Sequence, residues 1–116
     1  MTFSEAVQDV TSCAGVVATA IADRDGIPVQ SWGDEAEIEE VVAEFSAFLG
    51  EVLSANRELH LGTLEQLQVV GSQRQVMVTM IVEDYFLVTI VERDGNPGRA
   101  RFASRLAAHR LRGEFV

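Results

Sequence analysis

Gln75-Val76-Met77-Val78-Thr79-Met80-Ile81-Val82-Glu83, followed by Asp84 and then Tyr85-Phe86-Leu87-Val88-Thr89-Ile90-Val91-Glu92, is the stretch on which the fold turns. Both runs are rich in β-branched and aromatic residues, and Glu83-Asp84 is a tight reversal between them, so they read as two antiparallel strands. In the first, Val76, Val78, Met80 and Val82 point one way and Met77, Thr79 and Ile81 the other. In the second, Tyr85, Leu87 and Val91 alternate with Phe86, Val88 and Ile90. Both faces are apolar. An antiparallel strand with two apolar faces must be covered on both, which places helices on each side of the sheet.

Working outward, Thr63 to Gly71 reads as a further strand joined to Gln75 by Ser72-Gln73-Arg74, giving a three-stranded meander. Gly62 closes a long helix that starts after Gly33, where Asp34, Glu35 and Glu37 supply a cap and favourable charge, and that reaches about Leu59. Before it, Gly15 to Ala22 and Ile27 to Trp32 flank the turn Asp23-Arg24-Asp25-Gly26 and form a β-hairpin. Pro28 cannot donate a ladder hydrogen bond, which puts its strand at a sheet edge. Thr2 and Ser4 offer caps for a short first helix ending between Ser12 and Gly15. Asp94-Gly95-Asn96-Pro97-Gly98 is a loop ahead of a last helix from Arg99 to about Arg112.

The chain has 116 residues, 47% of them apolar, which fits one compact domain spanning 1–116. Its longest apolar runs fall short of the roughly 20 residues a membrane helix needs, so no membrane insertion is expected. Met1 to Asp9 carries two acids and no basic region, unlike a secretory signal, and a cytoplasmic location is the expectation. Cys13 is the single cysteine, which excludes an internal disulfide and a cysteine-built zinc site. The net charge is −9, but its sign changes along the chain: residues 1–98 hold 17 acids and 4 arginines, and 99–116 hold 5 arginines and Glu114. An acidic body does not suit nucleic acid as a partner. There is no lysine.

The order helix, two strands, long helix, three strands, helix resembles the roadblock/dynein light chain family. The residues that carry the resemblance are the hairpin Gly15-Val16-Val17-Ala18-Thr19-Ala20-Ile21-Ala22-Asp23-Arg24-Asp25-Gly26-Ile27-Pro28-Val29 and the later Asp84-Tyr85-Phe86-Leu87-Val88-Thr89-Ile90-Val91. Profilin-like and PAS-like domains share parts of this layout. The resemblance implies an α/β (α+β) three-layer sandwich: a mainly antiparallel five-stranded sheet in the order 2-1-5-4-3, the long helix on one face and the terminal helices on the other. It implies a homodimer or heterodimer in which third strands pair across a two-fold axis and long helices meet, and a small Ras-like GTPase as the partner regulated.

At about 100° per residue, Ile38, Val41, Val42, Phe45, Phe48, Leu49, Val52 and Leu53 form one broad stripe of the long helix, expected to cover the sheet. Opposite lie Ala43, Ala47, Gly50 and Ser54, a stripe of small residues that lets another backbone approach. Between the stripes runs a column of acids, Glu37, Glu40, Glu44, Glu51 and Glu58, which reads either as a solvated face or as a guide for a basic partner. Family resemblance and helical geometry together make Glu40, Ala43, Glu44, Ala47, Gly50, Glu51 and Ser54 the candidate dimer and partner-binding residues. Arg99, Arg101, Arg105, Arg110 and Arg112 either offset the acidic body or form a docking site for an acidic protein.

No G-x-x-x-x-G-K-[ST] loop is present, so the chain is not a P-loop GTPase. His60 and His109 belong to no nucleophile–base pairing and no H-E-x-x-H motif. Asp23-x-Asp25-Gly26 lacks the later ligands of a calcium loop and reads as a turn. No catalytic residue, metal or cofactor is expected. The readings compatible with the residues are a dimeric GTPase regulator, a nucleotide-indifferent scaffold or light chain, and a PAS-like or profilin-like sensory domain.

Overall fold

The computed structural model describes residues 1–115. Helix α1 (Phe3–Thr11) leads into the hairpin β1 (Val16–Asp23) and β2 (Pro28–Gly33), then α2 (Glu35–Glu58), the meander β3 (Gln66–Val70), β4 (Arg74–Val82) and β5 (Tyr85–Glu92), and α3 (Pro97–Leu111) with a closing 3-10 turn over Arg112–Phe115. The strands form one antiparallel sheet in the order β2-β1-β5-β4-β3. The architecture is the α/β sandwich expected, with Pro28 on an edge strand.

Period-two alternation divides the apolar residues between two layers. Ala18, Ala20 and Ala22 of β1, Val76 and Val78 of β4, and Phe86, Val88 and Ile90 of β5 pack beneath Ile38, Val42 and Leu49 of α2. On the other face Ile21, Ile81 and Leu87 meet Val7 and Val10 of α1 and Ala103, Ala107 and Leu111 of α3. Alanines on β1 and on α3 let each helix lie close to the sheet. Phe86 is fully buried at the centre, and side chains of its size contribute about 1.5–3 kcal/mol each on burial.

Local chemistry fixes the element ends. Thr2 and Glu5 form a capping box at α1: the Thr2 hydroxyl accepts from the Glu5 amide at 3.1 Å, and the Glu5 carboxylate accepts from Thr2 in return. Those bonds hold the Glu5 carboxyl below its usual range. The last helix starts two residues earlier than the sequence suggests, because Asn96 caps it, accepting from the Arg99 amide at 3.1 Å, and Pro97 occupies its first turn. The third strand is shorter than Thr63 to Gly71, beginning only at Gln66. Val82 also departs from expectation. A register shift between Met80 and Val82 pairs Val82 with Tyr85 and turns it to the α1/α3 face.

Two kinds of contact tie the helical layer to the sheet. A Cβ on Gly15, whose φ is +86°, would lie 2.5 Å from the Cα of Gly95, so the α1–β1 and β5–α3 connections touch backbone to backbone. Inside the layer, the buried Thr19 hydroxyl donates to the Val88 carbonyl at 2.8 Å and lies 3.0 Å from Thr89 Oγ1, which lies 3.3 Å from Ser104 Oγ. Because Thr19 spends its proton on Val88, Thr89 must donate to Thr19 and Ser104 to Thr89. The chain of hydroxyls therefore runs one way, from α3 through β5 to β1. Thr89→Val leaves Ser104 without an acceptor and Thr19 without a donor. It should destabilise by about 1–3 kcal/mol in urea unfolding, with Thr89→Val/Ser104→Ala costing less than the sum of the single changes.

Candidate protein interaction surface

Helix α2 is capped by Asp34, whose side chain accepts from the Glu37 amide at 3.0 Å, and it runs for 24 residues across the sheet. Its inner face follows the expected stripe through Ile38, Val42 and Leu49, with Val41, Phe45, Val52 and Leu53 half-buried. Phe48 does not join them and remains 44% exposed. It sits about 90° from the centre of the apolar arc, at the limit of what a sheet beneath can cover. Its ring meets Phe45 edge to face at 6.2 Å.

The other face carries the candidate residues. Glu40, Ala43, Glu44, Ala47, Glu51 and Ser54 are exposed and Gly50 is half-buried. Ala43 lies on the flank against which the β1–β2 turn packs: a Cβ on Gly26 would sit 2.5 Å from Ser46 Oγ and 3.7 Å from the Ala43 Cα. A Cβ on Gly50 would meet nothing within 4 Å. The fold of the isolated chain therefore gives no packing reason for glycine at a position where it weakens a helix by about 1 kcal/mol.

The column of acids is divided by the fold. Glu37 pairs with Arg74 at 3.0 Å, and Arg74 also reaches Glu92 at 3.8 Å, which raises the affinity of its guanidinium for its proton. Glu40, Glu44, Glu51 and Glu58 make no ion pair with any described residue. They leave a row of uncompensated carboxylates along the outer side of α2.

β3 is the edge of the sheet opposite β2. Its sequence, Gln66-Leu67-Gln68-Val69-Val70, has no charge and no proline, and it pairs with β4 in an unbroken register. The opposite edge, β2, begins at Pro28 and carries a register shift at Ile21/Ala22, both of which discourage a further strand. Leu67 and Val69 fall on the α2 face of the sheet, where Val69 is 41% exposed; Val70, on the other face, is 56% exposed. Sequence periodicity does not single out Val69, and it assigns Phe48 to the core. A signal is present in the lack of charge along residues 66–70, but its meaning depends on β3 being an edge.

Other side chains with chemical capacity are not gathered into a site. Among the described residues, no group of three or more His, Cys, Asp or Glu is placed to hold a metal ion. Cys13 is buried, with Sγ 3.8 Å from the Asn96 carbonyl oxygen, and His60 and His109 lie exposed at the ends of α2 and α3. Among the described residues, no helix is long and apolar enough to cross a membrane.

A two-layered cover of helices on a 2-1-5-4-3 antiparallel sheet, with one edge strand left unprotected, defines the class of fold. The chain belongs to the Roadblock/LC7 domain family, whose model matches residues 2–91. That membership decides between the roadblock layout and the profilin-like and PAS-like ones. No curated protein sequence matches the chain. Among solved structures it is similar to MglC from Myxococcus xanthus, at 26% identity over 98% of this chain and 99% of that one, with a TM-score of 0.68. It is also similar to the gliding protein MglB from Thermus thermophilus, at 12% identity, 96% and 86% coverage and a TM-score of 0.84. An MglB in a tetrameric arrangement is similar at 13% identity, 96% and 85% coverage and a TM-score of 0.84. The two MglB likenesses are likenesses of fold.

Gly50→Ala tests the open space around that residue. In the isolated protomer it should raise the unfolding free energy by up to about 1 kcal/mol in urea titrations. A loss of stability at protein concentrations where the chain self-associates would show that another backbone occupies the space.

Proposed function

We propose that the chain is a non-catalytic, cytoplasmic, single-domain module that forms a homodimer and, through the paired α2 helices, binds and regulates a small Ras-like GTPase. The observation that carries this reading is the unprotected β3 edge, and the small outer stripe of α2 with open space at Gly50 and the unpaired acids Glu40, Glu44 and Glu51 accompany it. Membership in the Roadblock/LC7 family and the fold likeness to MglB support it.

In this reading two β3 strands pair across a two-fold axis and continue the sheet from one protomer into the next. Backbone hydrogen bonds then satisfy the outward-facing edge, and Val69 is removed from water at the seam. Pairing brings the two α2 helices side by side, with Ala47, Gly50 and Ser54 permitting close approach. The rows of carboxylates then flank a joint surface whose negative potential favours a basic partner and speeds the encounter. Regulation works by holding one conformation of the partner's switch segments, so that the GTPase uses its own hydrolytic residues.

Val69→Lys puts a charge at the strand seam. It should convert the dimer to a monomer in sedimentation analysis without loss of helical or strand content. A persistent dimer would remove strand pairing from the reading.

The function itself is tested by affinity capture from lysate of the source cells, run in parallel with a non-hydrolysable GTP analogue and with GDP. A small GTPase retained at least tenfold better with the analogue, and lost with Ala47→Arg/Gly50→Arg while circular dichroism is unchanged, is the expected result. Equal retention in both nucleotide states would establish a scaffold in place of a regulator.

A further inference from the structure

At the end of the sheet where β4 passes into β5, two grooves meet. One, of about 500 Å3, lies between α3 and the start of β3 and is lined by Arg101, Phe102, Arg105, Leu106 and Arg112. The other, of about 920 Å3, lies on the α2 side and is lined by Arg24, Leu53, Arg57, Leu64 and Arg112. Glu65, Met80 and Arg112 border both, so the two grooves adjoin and together make a bent channel, one arm on the α3 side of the sheet and the other on the α2 side.

The charge along this channel is opposite to that of the rest of the molecule. Five of the nine arginines line it, Arg24, Arg57, Arg101, Arg105 and Arg112, together with His109, against the carboxylates of Glu65 and Glu83. Those arginines are mostly unspent. Arg105 reaches Glu65 only at 4.0 Å, Arg112 donates its Nε to the Ile81 carbonyl at 3.2 Å with its terminal nitrogens remaining, and Arg24, Arg57 and Arg101 form no ion pair with any described residue. Apolar side chains stand among the arginines: Phe102, 70% exposed, Leu106 and Met80 line the first groove and Leu53, Leu64 and Met80 the second.

We infer that this channel docks an acidic, extended segment of a partner protein, carrying one or two apolar anchors between its carboxylates. Charge complementarity selects the acidic sequence, with the planar guanidinium groups suited to bidentate capture of carboxylates. Phe102 and Met80 supply the surface for an apolar anchor. The bend selects extended chain, because a rigid helix cannot follow a path from one face of a sheet to the other. The inference is independent of the GTPase reading, since the channel shares no residue with the outer stripe and acids of α2.

The test is selection of random 12-residue peptides displayed on phage against the intact chain, followed by fluorescence anisotropy of the enriched peptides. Enriched sequences should be rich in Asp and Glu with interspersed Leu or Phe, and should bind more weakly as salt rises. Arg101→Glu/Arg105→Glu on the α3 side and Arg57→Glu on the α2 side should each weaken the same peptide at least tenfold, with circular dichroism and sedimentation unchanged. Enrichment of neutral or basic peptides, or of none, would overturn the inference, as would a peptide indifferent to either side of the channel. If the arginine changes instead reduce the chain's own assembly, the channel's occupant is a second copy and the inference fails. Loss of binding to phosphatidylserine vesicles, in place of peptide, would sink it in favour of a membrane surface.

Discussion

The structure depends on the requirement that β5 be dry on both faces. From Phe86 to Val91 every residue of β5 is buried, alternately under α2 and under the α1/α3 pair. A strand so placed must be central, must have neighbours on both edges, and must have a helical layer above and below. β1 and β4 meet the first need, and the long α2 and the pair of shorter helices meet the second. The few polar groups in this interior include the hydroxyls of Thr19, Thr89 and Ser104, which serve one another, and no described buried side-chain polar atom lacks a partner. The central sheet is therefore well specified, and irregularity is pushed to its margins.

At those margins the two edges have different fates. α2 packs chiefly over β1, β2 and β5, and α1 and α3 over β1, β4 and β5, so β3 is the strand that no helix substantially covers. Its flat register, uncharged sequence and exposed Val69 and Val70 would be a liability for a chain that remained alone. On β2 the liability is removed by Pro28 and a bulge. The same sheet thus carries one edge built to refuse a strand and one that, though short, lacks the proline, charge and bulge that would refuse it. This asymmetry is a property of the single chain, visible before any relative is considered.

Legibility in the sequence follows the same division between centre and margin. Alternation in 76–91 is enough to require two helical layers, and Pro28 is enough to place β2 at an edge, because both rest on local stereochemistry. Periodicity puts Val82 on the wrong face, since a bulge shifts register by one residue and an alternating pattern cannot count past it. It puts Phe48 in the core stripe because the helical wheel gives angle but not the width of the surface below. Helical spacing groups Glu37 with the other acids, though Arg74, 37 residues away, removes it from the column. Asn96 is hard to see as a cap because it sits inside a turn-rich loop. For Val82 the missing information is a single-residue slip, and for Glu37 it is a long-range contact.

The charge pattern shows how such contacts turn a linear asymmetry into a spatial one. Read along the chain, arginine is concentrated after residue 98 and looks like simple compensation for an acidic body. In the fold, Arg110 does compensate, pairing with Asp9 at 3.4 Å to join α3 to α1, and Arg74 and Arg93 are spent within the sheet margin on Glu37 and on the Gly71 carbonyl. Most of the arginines that remain come from distant segments, the β1–β2 turn, the end of α2 and the outer side of α3, and converge at one end of the sheet. A row of the remaining carboxylates lies along the outer side of α2. Pairing has thus consumed the charges that stabilise the fold and sorted much of the surplus into two regions of opposite sign. The two regions share no residue, so the proposed uses of the acidic and basic surfaces do not compete for the same side chains.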